Sequence, residues 1–220
     1  MRLHPFLPLM LLVPAVSAPA QVSIGIGLPH MSIGINVPIV PELVPVPDSP
    51  AYYAPGMDMN FFFYDGMYWV FKDDNWYASS WYNGPWSPVH PEAVPLFVLR
   101  IPVAYYRRPP AYFRGWRSEG PPRWGDHWGA DWSRRRAGWD HWDRHEIPRP
   151  APLPTYQRNF QGRQYPGPDR QHEIHAENYH HQPHEPVVRD HYAAQAEHGR
   201  SAPREERHGE EHREEGPKHR

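Results

Sequence analysis

The fold is decided by a short aromatic stretch that reads FFFYDGMYWVF, residues 61–71. An Asp-Gly pair stands at its centre, and a type I′ turn needs positive φ at both central positions, which Asp and Gly tolerate. The stretch therefore predicts a β-hairpin with a two-residue loop. That loop length sets the register and predicts three cross-strand pairs: Tyr64 with Met67, Phe63 with Tyr68, and Phe61 with Val70.

A third strand is predicted after the polar turn at residues 72–75, because the sequence WYASSWY at residues 76–82 is again aromatic and ends at Asn-Gly-Pro. We therefore expect a mainly β fold, a small antiparallel aromatic meander within residues 51–106. Alternation along each strand assigns the side chains to two faces. One face carries Phe61, Phe63, Tyr68, Val70, Tyr77, Ser79 and Trp81, and the other carries Phe62, Tyr64, Met67, Trp69, Phe71, Trp76, Ala78 and Tyr82.

Both predicted faces are aromatic, although a free antiparallel sheet normally shows one polar side. We expect residues 96–106 to form a further strand that covers the second face, with Pro102 confining it to an edge or ending it. Two interpretations of the aromatic side chains remain open. They form the core of a small domain, or they leave one face on which a sugar or a peptide stacks.

Composition narrows the function classes. The chain of 220 residues contains 30 Pro and 16 Gly, lacks Cys, and carries a net charge of −2. The absence of cysteine excludes disulfides, thiolate metal sites and cysteine nucleophiles, and the small net charge implies no polyanionic or polycationic partner for the whole molecule. The sequence contains no Gly-x-Ser-x-Gly, His-Glu-x-x-His, phosphate-loop or dinucleotide-binding pattern. We therefore expect a protein that is not an enzyme.

The N-terminus has the pattern of an export signal at residues 1–20. It combines a positively charged start, an apolar run at residues 6–16 and an Ala-Pro-Ala cleavage pattern. The apolar run is shorter than the roughly 20 residues that a transmembrane helix needs, so no membrane span is expected after cleavage. Residues 21–50 are expected to form an extended Ile/Gly/Pro leader. We expect an exported protein that is periplasmic or associated with the outer membrane.

Residues 107–149 alternate Arg, Trp, Gly and Pro. The four-residue spacing of Trp124, Trp128 and Trp132 predicts a helix with an aromatic stripe that docks on the meander. The helix is expected to be marginal, because each interior Gly costs about 1 kcal/mol relative to Ala. The segment is either solvated with local Arg–Asp pairing or in contact with an anionic lipid or polyanion. Nucleic acid is not an expected partner of an exported protein.

Residues 150–220 are rich in Pro, His and charge and nearly free of apolar side chains, which predicts a disordered tail. No cofactor is expected. His-rich tracts bind Ni²⁺, Cu²⁺ or Zn²⁺ through neutral imidazoles, so weak metal binding by the tail is one hypothesis and a merely soluble tail is the other. The candidate metal ligands are His172, His175, His180, His181 and His184.

Several motifs in order resemble a family of uncharacterised exported proteins from Gram-negative, chiefly proteobacterial, genomes. The motifs are YDGxYW at 64–69, WYxS at 76–79, YNGPW at 82–86, VP at 94–95 and PxxYY at 102–106. The similarity covers roughly residues 23–154 and implies an envelope protein with no assigned activity, so it transfers no catalytic residue.

The expected function is therefore that of a non-catalytic structural or interaction protein of the envelope. Aromatic and Arg/Trp surfaces would bind an envelope polymer, an anionic lipid or an envelope protein. The alternative is a periplasmic metal-binding protein that acts through its His-rich C-terminal tail.

Overall fold

The computed structural model describes residues 34–141, 143 and 146–201. Six antiparallel strands follow one another in chain order across a single sheet, so each strand pairs with its sequence neighbours. The predicted antiparallel meander is confirmed, with two short strands added at one edge and one at the other. The strands are β1 (Val44–Pro45), β2 (Tyr52–Tyr53), β3 (Asn60–Tyr64), β4 (Met67–Lys72), β5 (Asn75–Ser79) and β6 (Ser87–Val89).

Helical segments pack around this sheet. The α-helices are α1 (Leu96–Leu99), α2 (Trp124–Arg135), α3 (Pro168–Asn178) and α4 (Pro186–Ser201), and the 3₁₀ segments are Val103–Tyr105, Ala111–Phe113, Thr155–Asn159 and Gly162–Gln164. They hold more residues than the strands, so the mainly β description applies to the centre of the molecule. The export signal predicted at residues 1–20 and the tail beyond residue 201 lie outside the described residues.

The central hairpin has the register that the sequence predicts, and all three expected cross-strand pairs are present. Asp65 and Gly66 have φ angles of 52° and 91°, the positive values that a type I′ turn requires. The polar turn between β4 and β5 also has positive φ at both central positions, since Asp73 and Asp74 have φ angles of 49° and 62°. Two tight turns therefore fix which side chains share a face.

Both faces of the sheet are buried, each in its own hydrophobic cluster, so the strand aromatics are core. The first cluster takes Phe62, Tyr64, Met67, Trp69, Phe71, Trp76 and Ala78 from the strands, and the second takes Phe61, Phe63, Tyr68 and Val70. The predicted faces are confirmed for these side chains. Tyr82 is an exception and joins the second cluster, because β5 ends at Ser79 and the strand alternation stops there.

The segment that covers the first cluster is helical, so the strand predicted at residues 96–106 is wrong. The carbonyl of Pro95 accepts hydrogen bonds from the backbone N–H groups of Val98 and Leu99, at 3.0 and 3.1 Å. Pro102 then limits the helix to one turn, since proline cannot donate to a continuing helical ladder. Val98 and Leu99 are fully buried, so the segment covers the face as expected although its backbone is not extended.

Helix α2 confirms the helix predicted from the tryptophan spacing and its docking on the sheet. Trp124 is fully buried, with its ring centroid 5.2 Å from that of Phe71 and 6.0 Å from that of Trp76. Its indole Nε1 donates to the carbonyl of Leu99 at 2.9 Å. Gly129 interrupts the helical geometry with a φ of 85°, the kind of weak point that the glycines predicted.

The described part of the leader, residues 34–50, is packed rather than free. Val37 is fully buried in the second cluster, and its backbone N–H donates to Asn83 Oδ1 at 2.6 Å. Strand β1 pairs with β2 even though it contains Pro45, because an edge position leaves proline without an obligatory ladder partner. The leader therefore closes one edge of the sheet and part of its second face.

The largest difference from the sequence prediction is in residues 150–201, which we call the C-terminal arm. They were expected to be disordered, yet they form α3, α4 and two 3₁₀ segments. Tyr179 packs in the second cluster and Val188 in the first, so the arm reaches both faces of the sheet. Polar contacts make up for its few apolar side chains. Gln157 is fully buried, and its amide bonds to Tyr68, Ser80 and Tyr82.

Candidate functional site

The structure does not gather into one site the five histidines that the sequence offers as metal ligands, although the rings of His181 and His184 lie 6.0 Å apart between centroids. His175 is buried, with Nδ1 2.7 Å from the hydroxyl of Tyr156, and His181 Nε2 lies 2.8 Å from Asp65 Oδ1. The others are exposed or partly exposed: His172, His180 and His184. Among the described residues, no group of three or more His, Asp or Glu side chains is placed to hold a metal ion.

Two histidines of the C-terminal arm are buried away from any counter-ion. Burial, followed by the neighbouring imidazoles of His172 and His191, lowers the pKa of His175 to about 4. Burial also lowers the pKa of His191 to about 4. This burial could not be predicted from the sequence, because His191 lies in a charged, polar segment without a strong apolar stripe.

The hairpin turn anchors the arm. Asp65 is buried, and its carboxylate accepts hydrogen bonds from the backbone N–H groups of His184 and Glu185, at 3.0 and 2.8 Å. Since α4 begins at the next residue, the carboxylate lies at the positive end of the helix dipole. The hydroxyl of Tyr192 also donates to the carbonyl of Gly66, at 2.7 Å. The hairpin turn therefore contacts α4 at its start, through the backbone of His184 and Glu185, and about two helical turns further along, through Tyr192.

A buried tyrosine links this anchor to a neighbouring cleft. Tyr64 on β3 donates its hydroxyl to Glu185 Oε1 at 2.8 Å. Burial raises the pKa of Tyr64 and also that of Glu185. The ring of Tyr64 packs against Phe97, with 5.8 Å between centroids, and Phe97 in turn forms part of the cleft wall.

The cleft has a volume of about 950 Å³, within the range of ligand-binding pockets. Two aromatic rings, Phe97 and Tyr105, contribute to its walls together with prolines. Tyr53 on β2 supports the ring of Tyr105 from behind, with 4.8 Å between centroids. The lining comes from residues 47–49, 97–105 and 117–121 and from Asp140, His141 and Asp143.

Hydrogen bonds hold the walls of the cleft in place. The backbone N–H of Val103 donates to the carbonyl of Gly120 at 2.9 Å, which fixes residues 117–121 beside the 3₁₀ turn. On the opposite side, the guanidinium of Arg100 bridges to the loop after α2. Its acceptors are the carbonyls of Gly138, Trp139 and His141, at 3.1, 2.6 and 3.1 Å. The cleft is therefore preformed by contacts between segments far apart in the chain.

The cleft is acidic on balance. Among the lining side chains that the structure describes, there are four carboxylates and two guanidinium groups, a formal balance of −2. The carboxylates are Asp48, Glu119, Asp140 and Asp143, and the guanidinium groups are Arg100 and Arg117. Asp140 has a polar partner, since His141 Nδ1 lies 2.7 Å from its carboxylate, and Asp143 also interacts with a neighbouring group. Such a balance attracts cationic groups and repels phosphate-rich surfaces.

Four of the nine described arginines of residues 107–149 are paired with nearby carboxylates. The pairs are Arg108 with Asp58, Arg123 with Asp126, Arg134 with Asp131, and Arg135 with Glu92. They are exposed, so each adds little stability, but each removes a cation from a basic surface. Local Arg–carboxylate pairing is therefore present in part of the segment, and its contact with an anionic lipid stays a prediction.

Comparison with protein families, with curated proteins and with solved structures gave no match to this chain. The resemblance to exported proteobacterial proteins therefore stays a prediction. Within the described residues, no helix combines the length and the apolar character needed to cross a bilayer. The function has to be inferred from the geometry of the molecule itself.

Proposed function

We propose that this chain is an exported, non-catalytic protein of the Gram-negative envelope that binds an envelope polymer in the cleft. The observation that carries the proposal is a preformed cleft of about 950 Å³ with two aromatic rings in its walls. The strand aromatics support the sheet instead, since both faces of the sheet are buried. The export pattern at residues 1–20 supports the location.

The walls suit a sugar ring. The face of an aromatic ring such as that of Tyr105 is apolar and carries the negative charge of the π system, whereas the C–H face of a pyranose is apolar and weakly positive. The ring of Phe97 contributes to the same wall, with the guanidinium of Arg100 5.5 Å from its centroid. Tyr64 and Tyr53 hold these rings from behind. A ligand that stacks on rings already fixed in place costs little side-chain entropy.

Charge then narrows the type of polymer. A cleft with a net charge of −2 disfavours phosphate-rich polysaccharide and anionic lipid headgroups. It favours a glycan that also carries amino groups. The repeating unit of the wall glycan contains no phosphate, and its peptide stems bear amines as well as carboxylates. Those amines can pair with the carboxylates of the cleft, so the wall glycan is the ligand that we propose.

The proposal is tested by co-sedimentation of the full chain with purified wall sacculi. Tyr105→Ala removes one aromatic wall and is expected to weaken binding about tenfold, which corresponds to about 1.4 kcal/mol, a typical cost for a central aromatic contact. The matched control is Tyr77→Ala, which removes a half-buried tyrosine that packs on the second cluster and does not line the cleft.

Equal losses in the two variants, or no binding of the wild-type chain to sacculi, would contradict the proposal. Vesicles of phosphatidylglycerol serve as the competing surface. If the chain binds these vesicles and not sacculi, its partner is an anionic lipid and the charge argument fails.

A further inference from the structure

Helix α4 carries a buried histidine without a hydrogen-bond partner. His191 is 4% exposed, and within the part of the chain that the structure describes neither its Nδ1 nor its Nε2 has a hydrogen-bond partner. Buried polar groups in folded proteins are nearly always paired. A neutral imidazole tolerates such a position far better than a charged one, because the cation would lose its water without gaining a counter-ion.

Burial alone lowers the pKa of His191, with no contribution from any carboxylate of the described residues. The nearest ring is that of Tyr192, with 5.9 Å between centroids. His175 on α3 interacts electrostatically with His191, and the two imidazoles repel each other when protonated. The titratable groups on the surrounding elements are His172 and His175 on α3, Tyr156 on the 3₁₀ turn, Asp65 on the hairpin, His181 and Glu185 before α4, and Tyr192 on α4.

We propose that α4 stays docked only while His191 is neutral, so that acid releases α4 from the hairpin and uncovers the part of the first cluster that Val188 seals. Val188 lies on the same helix and is fully buried in that cluster. The arm would thus act as a pH-dependent clasp. This inference does not depend on the ligand of the cleft.

The direction of the pH effect follows from the burial of His191. Docking lowers the pKa of His191 from 6.5 to about 4, so the undocked helix binds protons more readily. Docking is therefore fully favoured above pH 6.5, weakens as the pH falls, and loses this contribution completely by about pH 4. Between pH 7 and pH 5 the docking equilibrium is expected to fall about 20-fold through His191 alone.

Two neighbouring groups do not share this behaviour. Burial raises the pKa of Glu185, so protonation of Glu185 in acid favours docking and opposes the effect of His191. His181 lies 2.8 Å from Asp65, so its ring has a carboxylate partner, unlike that of His191. His175 on α3 is also buried with a lowered pKa and stacks on Tyr192 of α4, so its protonation adds to the effect of acid. A substitution at His191 isolates the contribution of His191.

The test is hydrogen exchange of the full chain, followed by mass spectrometry of peptides from α4 and from β3–β4 at pH 7, 6 and 5. Protection is corrected for the intrinsic pH dependence of exchange. His191→Leu keeps a side chain of similar size that cannot be protonated, and His180→Gln changes an exposed histidine of the arm as the control.

In the wild type, α4 is expected to lose protection between pH 7 and pH 5 while β3–β4 keeps it. The factor by which α4 protection falls between pH 7 and pH 5 should be about 20 times larger in the wild type than in His191→Leu. The control His180→Gln should behave as the wild type. If His191→Leu is as sensitive to acid as the wild type, the proposal is wrong. If His191→Leu does not fold, the pH dependence of exchange in the wild-type chain is the test. Loss of protection in α4 and in β3–β4 at the same pH would then show that α4 is not released by itself and would contradict the proposal.

Discussion

Replacing Asp65 with asparagine is expected to loosen the C-terminal arm while leaving the hairpin intact. Asparagine followed by glycine suits a type I′ turn as well as aspartate does, so the φ of 52° at this position remains accessible. The carboxylate accepts from His181 Nε2 and His184 N through Oδ1, and from Glu185 N through Oδ2. Asparagine offers a single acceptor oxygen, and its amide nitrogen then faces a donor.

The expected cost follows from those contacts. At least one backbone N–H at the start of α4 is left buried without an acceptor, which costs about 1–3 kcal/mol. Loss of the negative charge at the helix N-terminus adds about 0.3–1 kcal/mol. The variant is therefore expected to lose about 1.3–4 kcal/mol of unfolding free energy, which lowers the Tm by roughly 3–16 °C for a chain of this size.

Thermal unfolding followed by circular dichroism at pH 7 measures the effect. Asp73→Asn is the matched control, because Asp73 occupies the other tight turn with a φ of 49° and its side chain is exposed and paired with Lys72. It is expected to change stability by less than about 0.5 kcal/mol. If the two variants have the same Tm, Asp65 does not hold the arm and the reasoning is refuted.

Two further substitutions test the packing around the hairpin and α2. Gly66→Ala is expected to lower the unfolding free energy measured in urea by about 2 kcal/mol, because the φ of Gly66 is +91° and an added Cβ would lie 3.2 Å from each of three arm side chains. The control is Gly56→Ala, which has open space around the added Cβ and should be close to neutral. Trp124→Ala is expected to cost about 3–5 kcal/mol, since it removes a fully buried indole. A Trp124→Ala loss below about 1 kcal/mol would show that α2 is not docked in solution.

The centre of the fold could be predicted because its information is local. Asp65 and Gly66 admit essentially one kind of tight turn, and the turn then fixes the register of the aromatic strands around it. The strand assignment of residues 96–106 failed for a reason that is also local. Pro95 and Pro102 bracket the apolar run and leave room for a single helical turn, so apolar residues alone did not identify the backbone conformation.

The arm and the cleft could not be predicted, because their contacts join distant parts of the chain. Gln157 is buried and forms hydrogen bonds with Tyr68, Ser80 and Tyr82. Hydropathy ranks glutamine as a surface residue and takes no account of such bonds, so it does not predict this burial. The cleft depends on Arg100 reaching carbonyls near residue 139. Neither contact leaves a periodicity or a motif in the sequence.

The contacts between the hairpin and the arm also determine the order in which these two parts of the chain fold. Asp65 and His181 are 116 residues apart in the chain, and Tyr192 lies 126 residues beyond Gly66. A hairpin closes in about 1–10 μs, whereas contacts of such sequence separation are slow to form. The arm therefore docks late, on a sheet that already exists. Weakening the arm should speed unfolding and leave the folding rate nearly unchanged, whereas damage to the hairpin should slow folding itself.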